Sequence, residues 1–165
     1  MSLPDLLLNL LLIGTGATLV MDLWTLFRRR AFGIPSLDYA LVGRWIGHML
    51  QGRFRHVSIG AAAPVPGERA LGWIAHYAIG ITFATLPVVV AGPEWIITPT
   101  LLPAIIAGLA SVAAPFLVMQ PAFGFGIAAS RTPHPRVARR RSIVAHLSYG
   151  MGLYLSAFAL AALAR

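Results

Sequence analysis

The sequence contains no cysteine and no lysine, and charged residues of either sign are scarce. The absence of cysteine excludes disulfides, zinc–thiolate sites and iron–sulfur clusters. Only 11% of the residues are charged, whereas a typical soluble domain carries about 25%. This scarcity excludes an ordinary soluble domain and leaves a membrane protein as the class that fits.

Long apolar runs take the place of charge. Hydrophobic residues make up 58% of the chain, and the mean hydropathy is +0.76. Four runs, at about residues 3–27, 70–91, 99–129 and 142–164, each suffice for the ~20 residues that cross a bilayer core. They predict an all-α integral membrane protein, a four-transmembrane-helix bundle in a single domain over residues 1–165. No basic segment precedes the first run, so we interpret it as a retained helix and not as a signal peptide.

The thirteen basic residues are all arginines, and their distribution is one-sided. Seven lie between Arg28 and Arg69, five lie between Arg131 and Arg141, and the last is Arg165. Because basic loops stay in the cytoplasm during insertion, we expect segments 28–69 and 130–141 on the cytoplasmic side of a bacterial inner membrane. Both termini are then periplasmic. The net charge of +8 lies next to the membrane, where anionic lipid headgroups are a better partner than nucleic acid.

The segment after the first span predicts an amphipathic helix over residues 37–51. Ser36 is a suitable N-cap, and Asp38 lies in the first turn. The two faces separate at helical spacing, with Leu41, Val42, Trp45 and Met49 on one side and Arg44, His48 and Gln51 on the other. This pattern is typical of a helix in the cytoplasmic interface of the membrane. The alternative is a cap packed on the bundle.

Proline and small residues shape the expected spans. Pro115 and Pro121 should kink the third span, and the glycines in segment 123–126 should unwind its cytoplasmic end. Small pairs such as Gly14 with Thr18 should let helices approach closely.

Two stretches of the chain resemble each other. Ala75-His76 followed by Gly80 matches Ala145-His146 followed by Gly150, and segment 19–22 matches segment 117–120. The chain is then two copies of a helix pair related by a pseudo-two-fold axis along the membrane normal. The alternative is chance, because apolar membrane helices match each other easily.

Polar residues within the spans lie at one expected depth. Asp22 precedes Arg28 by six residues, or about 9 Å of helix, and His76 and His146 lie roughly 8–10 Å beyond the preceding arginines. Gln120 reaches the same level if the third span breaks at Pro121. Ionisable groups at such depth usually face the bundle interior or a water-filled cavity. We therefore take Asp22, His76, Gln120 and His146 as candidate ligand-binding residues.

Several interpretations of this polar cluster remain open. It can specify helix packing alone, or it can bind a small ligand, relay a proton or hold a divalent cation through Asp22, His76 and His146. The two histidines can also be the axial ligands of a haem or other tetrapyrrole. In that case glycines such as Gly80 and Gly150 should leave room for a flat macrocycle.

The second arginine segment suggests a lipid site. Prolines 133 and 135 stiffen the loop, and five arginines suit a phosphate headgroup: Arg131, Arg136, Arg139, Arg140 and Arg141. With His56 and Glu68 as acid–base residues and Arg131 beside them, the same side of the membrane could host an enzyme acting on a lipid or isoprenoid. The alternative is that the arginines only set orientation and bind anionic lipid non-specifically.

Finally, several strings resemble those of a bacterial inner-membrane family classed as a domain of unknown function. These strings are Val42 to His48, Gly67 to Tyr77, Pro99 to Pro103, Met119 to Ala122, Ala128 to Pro133 and Gly150 to Tyr154. The resemblance implies a small polytopic membrane protein and no reaction. We expect a non-enzymatic protein that binds or moves a small ligand or ion. We expect it to work as a homo-oligomer or as a subunit or accessory of a larger membrane complex.

Overall fold

The computed structural model describes residues 1–164, which form helices joined by turns and contain no β-strand. Arg165 lies outside the described residues. Four helices are long and apolar enough to cross a membrane: Leu3–Phe32, Glu68–Ala91, Leu101–Ala122 and Pro135–Leu163. The prediction of an all-α fold with a four-helix membrane bundle is confirmed, and the chain is a multi-pass membrane protein.

The helices of the described residues are named in chain order. They are α1 (Leu3–Phe32), α2 (Tyr39–Met49), α3 (Glu68–Phe83), α4 (Thr85–Ala91), α5 (Leu101–Ser111), α6 (Gln120–Ala122) and α7 (Pro135–Leu163). Helix α2 lies outside the four spans. A π-helical segment, Pro115–Met119, leads into α6, and short 3-10 turns lie at Ile59–Ala61, Pro93–Ile96 and Ile127–Ala129.

Two helices extend beyond the expected membrane spans. Helix α1 continues through the first three arginines to Phe32 and stops at Gly33, whose φ of 63° is left-handed. Helix α7 begins at Pro135, so Arg139, Arg140 and Arg141 lie on the helix and not in a loop. Arginine is a good helix former, a left-handed glycine ends a helix and proline suits its first position. The ends of α1 and α7 are therefore set by glycine and proline, and not by the ends of the apolar runs in the sequence.

The third span is interrupted at the expected prolines. The π-helical segment begins at Pro115, where a missing N–H breaks the regular hydrogen-bond pattern. Helix α6 ends at Ala122, seven residues before the expected end of the span. The unwinding expected at the glycines is confirmed, because Gly124 and Gly126 have φ values of 89° and 73°.

The chain divides into two compact units. Unit 1 consists of Met1–Ser36, Tyr77–Ser111 and the described part of Val144–Arg165. Its core contains small and aliphatic side chains together with two aromatic ones, Trp95 and Tyr149. Unit 2 consists of Leu37–His76 and Val112–Ile143, and its smaller core is formed by Val42, Ile59, Ala122 and Phe123.

Glycines bring the helices of unit 1 into backbone contact. A Cβ atom on Gly14 would lie 2.5 Å from the Cα of Ile81, and one on Gly80 would overlap the hydroxyl of Thr18. The close approach expected at Gly14 and Thr18 is therefore confirmed. At a second crossing, a Cβ atom on Gly108 would lie 2.7 Å from the Cα of Gly150. Gly80 and Gly150, the matched glycines of the internal resemblance, thus both lie where two helices cross.

Unit 2 uses the same device to pack α2 against α3. A Cβ atom on Gly43 would overlap the carbonyl of Glu68, and one on Gly72 would overlap the carbonyl of Tyr39. The N-cap of α2 is Asp38, whose side chain accepts a hydrogen bond from the Ala40 N–H at 3.0 Å. The prediction of Ser36 as the N-cap is wrong, because α2 starts at residue 39 and not at residue 37 as expected.

The orientation of α2 also differs from the prediction. Arg44 and His48, expected on the outer polar face, point into unit 2, with His48 only 4% exposed and the Arg44 side chain 13% exposed. Partners absent from the local sequence explain this, because both side chains bind groups of the following segment. Amphipathic spacing separates a polar face of a helix from an apolar one. It does not show whether polar groups from another segment pack against the polar face and bury it.

Candidate functional site

Asp22 is the one acidic residue in the apolar interior of α1. It is half-buried, and the hydroxyl of Tyr77 hydrogen-bonds to it. Both residues belong to unit 1. An ionisable side chain and a phenol thus meet within segments that are apolar enough to cross a membrane.

His146, also in unit 1, is positioned by Ser111 at the end of α5. The Ser111 hydroxyl donates to the Gly108 carbonyl at 2.7 Å and lies 2.7 Å from His146 Nδ1. A hydroxyl has one proton to donate, so with that proton on the carbonyl, Nδ1 is the donor to Ser111. The neutral imidazole then has its lone pair on Nε2.

The other two residues of the expected cluster lie in unit 2. His76 stacks on Tyr39 with ring centroids 4.0 Å apart, and Trp73 packs edge-on to it at 5.8 Å. Gln120 is 6% exposed, and its amide nitrogen lies 3.4 Å from the Ser142 hydroxyl. Among the described residues, no donor reaches the buried Gln120 Oε1.

The space expected beside the glycines for a flat macrocycle is filled. Gly80 lies against Thr18, and a Cβ atom on Gly150 would lie 2.8 Å from the Ala104 carbonyl. One on Gly152 would lie 2.7 Å from the Ala17 carbonyl. The expectation of open space there is wrong, because these glycines let helices touch.

Glu68, named as an acid–base residue, forms a bidentate ion pair with Arg44. Arg44 Nε and Nη2 donate to its two oxygens at 2.9 and 2.8 Å. The Val65 N–H adds a bond of 2.9 Å. The hydrogen bonds to Glu68 raise the pKa of Arg44, so the guanidinium stays charged. The sequence offered one signal for this pair: with only five acidic residues, a carboxylate in an arginine-rich segment should find a cation.

His56 lies beside His48, and this pair was not expected from the sequence. The ring centroids are 5.1 Å apart and the rings are inclined by 61°. His48 Nε2 lies 3.0 Å from the Ala63 carbonyl. Burial, together with the neighbouring His48, lowers the pKa of His56. The two histidines lie eight positions apart, but α2 ends at Met49 and the chain turns between them, so helical periodicity does not predict the pair.

The loop around Arg131 is held by its own backbone. The Arg131 N–H donates to the Phe125 carbonyl at 2.8 Å, and Ala128 and Ala129 have left-handed φ values of 47° and 60°. Arg139 Nε donates to the Ala128 carbonyl at 2.8 Å, so this arginine is occupied in fixing the loop. The remaining predicted headgroup residues are exposed: Arg131, Arg136, Arg140 and Arg141.

An open surface depression adjoins this loop. Its volume is about 450 Å³, and its lining includes His134, Arg136 and Arg139. Within residues 1–164, no group of three or more His, Cys, Asp or Glu side chains is placed to hold a metal ion.

Comparison with known proteins gives a family and no activity. No curated protein and no solved structure matches the chain. A family model described as "Protein of unknown function (DUF2938)" matches residues 11–160, which is nearly the whole chain. The resemblance noted in the sequence is thereby confirmed, and the chain belongs to this family of unknown function.

Proposed function

We propose that this protein is a non-enzymatic bacterial inner-membrane protein that moves a small ion or binds a small ligand through its intramembrane polar residues. A proton is the simplest ion for this chemistry, because carboxylate, phenol, imidazole and hydroxyl groups all exchange protons. The four residues are Asp22, His76, Gln120 and His146. The one-sided arginines support an orientation with both termini periplasmic and these residues in the cytoplasmic half of the bundle.

The hydrogen bond between Asp22 and Tyr77 is the observation on which this proposal mainly rests. A carboxylate inside a membrane-spanning helix is costly and usually marks an ion or proton pathway. Packing does not require it here, because glycine contacts already bring the helices of unit 1 together. The phenol gives the carboxylate a partner that can donate or release a proton.

One further polar contact and one buried polar atom without a donor support the proposal. His146 and Ser111 form a second pair of exchangeable groups in unit 1. In unit 2, the buried Gln120 carbonyl oxygen lacks a donor among the described residues, and it follows the π-helical segment that ends at Met119. Buried unsatisfied groups need an explanation, and π-helical turns recur at functional sites.

The alternative enzyme has weaker support. Both carboxylate oxygens of Glu68 accept hydrogen bonds from Arg44, which favours a structural role over acid–base chemistry. The exposed Arg131 and Arg136 instead support binding of anionic lipid headgroups beside the bundle. We further propose that the protein works as a homo-oligomer or as a subunit or accessory of a larger membrane complex, because four helices leave little room for a complete pathway.

Proton flux into proteoliposomes tests this function. The purified protein is reconstituted with a pH-sensitive dye inside the vesicles, and a potassium gradient with valinomycin imposes a membrane potential. We expect vesicles with the wild-type protein to acidify faster than empty ones. The acidification rate with Asp22→Asn should be at least tenfold lower than with the wild type. Tyr77→Phe should give an intermediate rate, because the carboxylate remains but loses its phenol.

Asp5→Asn is the matched control, since Asp5 lies on the same helix but is exposed at its first turn. It should transport like the wild type. Equal rates for wild type, Asp22→Asn and empty vesicles would refute proton movement. Equally fast acidification with the wild type and with Asp22→Asn would show that Asp22 has no part in proton movement.

A further inference from the structure

We propose that His48 and His56 form a binding site for a divalent transition-metal ion such as Zn²⁺. The site lies in unit 2, outside the intramembrane cluster, and does not depend on the function proposed above. His48 is supplied by the last turn of α2, and His56 by the irregular segment that follows the next turn.

The unpartnered nitrogens of the two rings point to a missing ligand. His48 Nδ1 and both ring nitrogens of His56 are buried, and no described residue hydrogen-bonds to them. His48 itself is only 4% exposed. Buried polar atoms without partners are rare in native proteins and commonly mark a water or an ion. A single ion between the rings would bind His48 Nδ1 and one of the two His56 nitrogens, because a neutral imidazole offers one lone pair.

The hydrogen bond of His48 prepares its ring for a metal. A carbonyl oxygen only accepts, so the Ala63 carbonyl requires a proton on His48 Nε2 at 3.0 Å. The neutral ring then has its lone pair on Nδ1, which is the buried and unpartnered atom. Metal-binding histidines typically donate their second ring N–H to a carbonyl or carboxylate in this way.

The spacing of the rings fits one shared ion. A tetrahedral ion with metal–nitrogen bonds of about 2.0–2.1 Å holds two imidazole centroids roughly 5 Å apart. The observed centroid distance is 5.1 Å, with the rings inclined by 61°. The backbone fixes the position of His56, because its N–H donates to the Ala122 carbonyl at 2.8 Å and the Ile59 N–H donates to the Phe123 carbonyl at 3.1 Å.

The protein supplies two ligands, and water completes the coordination. Glu68 is bound to Arg44, and no group of three metal-binding side chains exists within residues 1–164. Arg53 acts electrostatically on His56, but it is exposed, so solvent screens its charge. Two imidazoles favour Zn²⁺, Cu²⁺ or Ni²⁺ over Mg²⁺ or Ca²⁺.

Equilibrium dialysis of the full-length protein against Zn²⁺ tests the site, with purification through a tag that contains no histidine. The wild type should bind one ion per chain. His48→Gln and His56→Gln should each weaken binding at least tenfold, while retaining an amide of similar size. His134→Gln is the control, because His134 is exposed in another loop, and it should bind like the wild type.

X-ray absorption at the zinc edge of the wild-type complex provides a readout that does not depend on how the variants fold. It should show two imidazole nitrogens and oxygen ligands around the ion. Absence of stoichiometric Zn²⁺ binding, unchanged binding in both variants, or a spectrum without imidazole ligands would each overturn the proposal.

Discussion

Asp22 in unit 1 and the Arg44–Glu68 pair in unit 2 use charge in different ways. In unit 1, backbone contacts at Gly14, Gly80 and Gly108 join the helices, and Asp22 lies among apolar residues with Tyr77 as a partner. In unit 2, the ion pair of Arg44 and Glu68 joins separate segments of the chain. An ionisable residue is therefore a candidate for function where helix packing does not need it.

Arg44 of the ion pair also orders segment 59–62, which contains only one short 3-10 turn. Arg44 Nη1 donates to the carbonyls of Ile59, Gly60 and Ala62 at 3.4, 3.3 and 3.1 Å. One guanidinium thus ties a turn to α2 and to the start of α3. Arginine suits this position because its five donors form a planar fork.

Arg44→Met should lower the stability of unit 2 more than the other substitutions considered below. It leaves a mostly buried carboxylate without its cation, and the cost should lie at about 2–4 kcal/mol, between an exposed pair and a fully buried one. The measurement is the midpoint of thermal unfolding in detergent, followed by tryptophan fluorescence. Arg55→Met is the control because Arg55 is exposed in the same unit. Equal midpoints for both variants would show that the pair does not stabilise unit 2.

A smaller effect is expected in unit 1 from Gly108→Ala. The added methyl group would lie 2.6 Å from the His146 carbonyl oxygen, so the helices must separate, at about 1–3 kcal/mol. Chemical unfolding in detergent checks this. The same substitution at Gly60 is the control, since its nearest neighbour would be the Ser58 hydroxyl at 3.9 Å. A wild-type stability for Gly108→Ala would contradict packing through glycine.

The smallest effect concerns the start of α2. Asp38→Ala removes the N-cap hydrogen bond to the Ala40 N–H and should cost about 1 kcal/mol. Ser36→Ala should cost nothing measurable, because Ser36 lies outside the helix. Hydrogen exchange at the first turn of α2 compares the two variants. Faster exchange in Ser36→Ala than in Asp38→Ala would reverse the assignment of the cap.

The sequence predicted the fold well because the membrane restricts it strongly. Apolar length predicts a span, and Pro115 predicted the break in the third one. The orientation of α2 could not be predicted, since it depends on Glu68, 24 residues from Arg44. Counting residues from the arginines predicts a depth for Asp22 along α1. It gives no information on rotation about the helix axis, and therefore none on partners such as Tyr77.

The same limit applies to the histidines. The rings of His48 and His56 lie together because the chain turns after the end of α2 at Met49. His146 was expected on depth alone, and its contact with Ser111 depends on how α5 and α7 cross. Long-range contacts therefore determine the chemical environment of each candidate residue, whereas local patterns predict only its type and depth.

One measurement tests most directly whether the Asp22 carboxylate of unit 1 serves function while the Arg44–Glu68 ion pair of unit 2 serves stability. Asp22→Asn and Arg44→Met are reconstituted side by side, and proton flux per folded molecule is measured together with the unfolding midpoint. We predict that Asp22→Asn keeps its midpoint and loses flux, whereas Arg44→Met lowers its midpoint and keeps the flux of its folded fraction. Normal flux in Asp22→Asn, or flux lost in folded Arg44→Met, would contradict the claim.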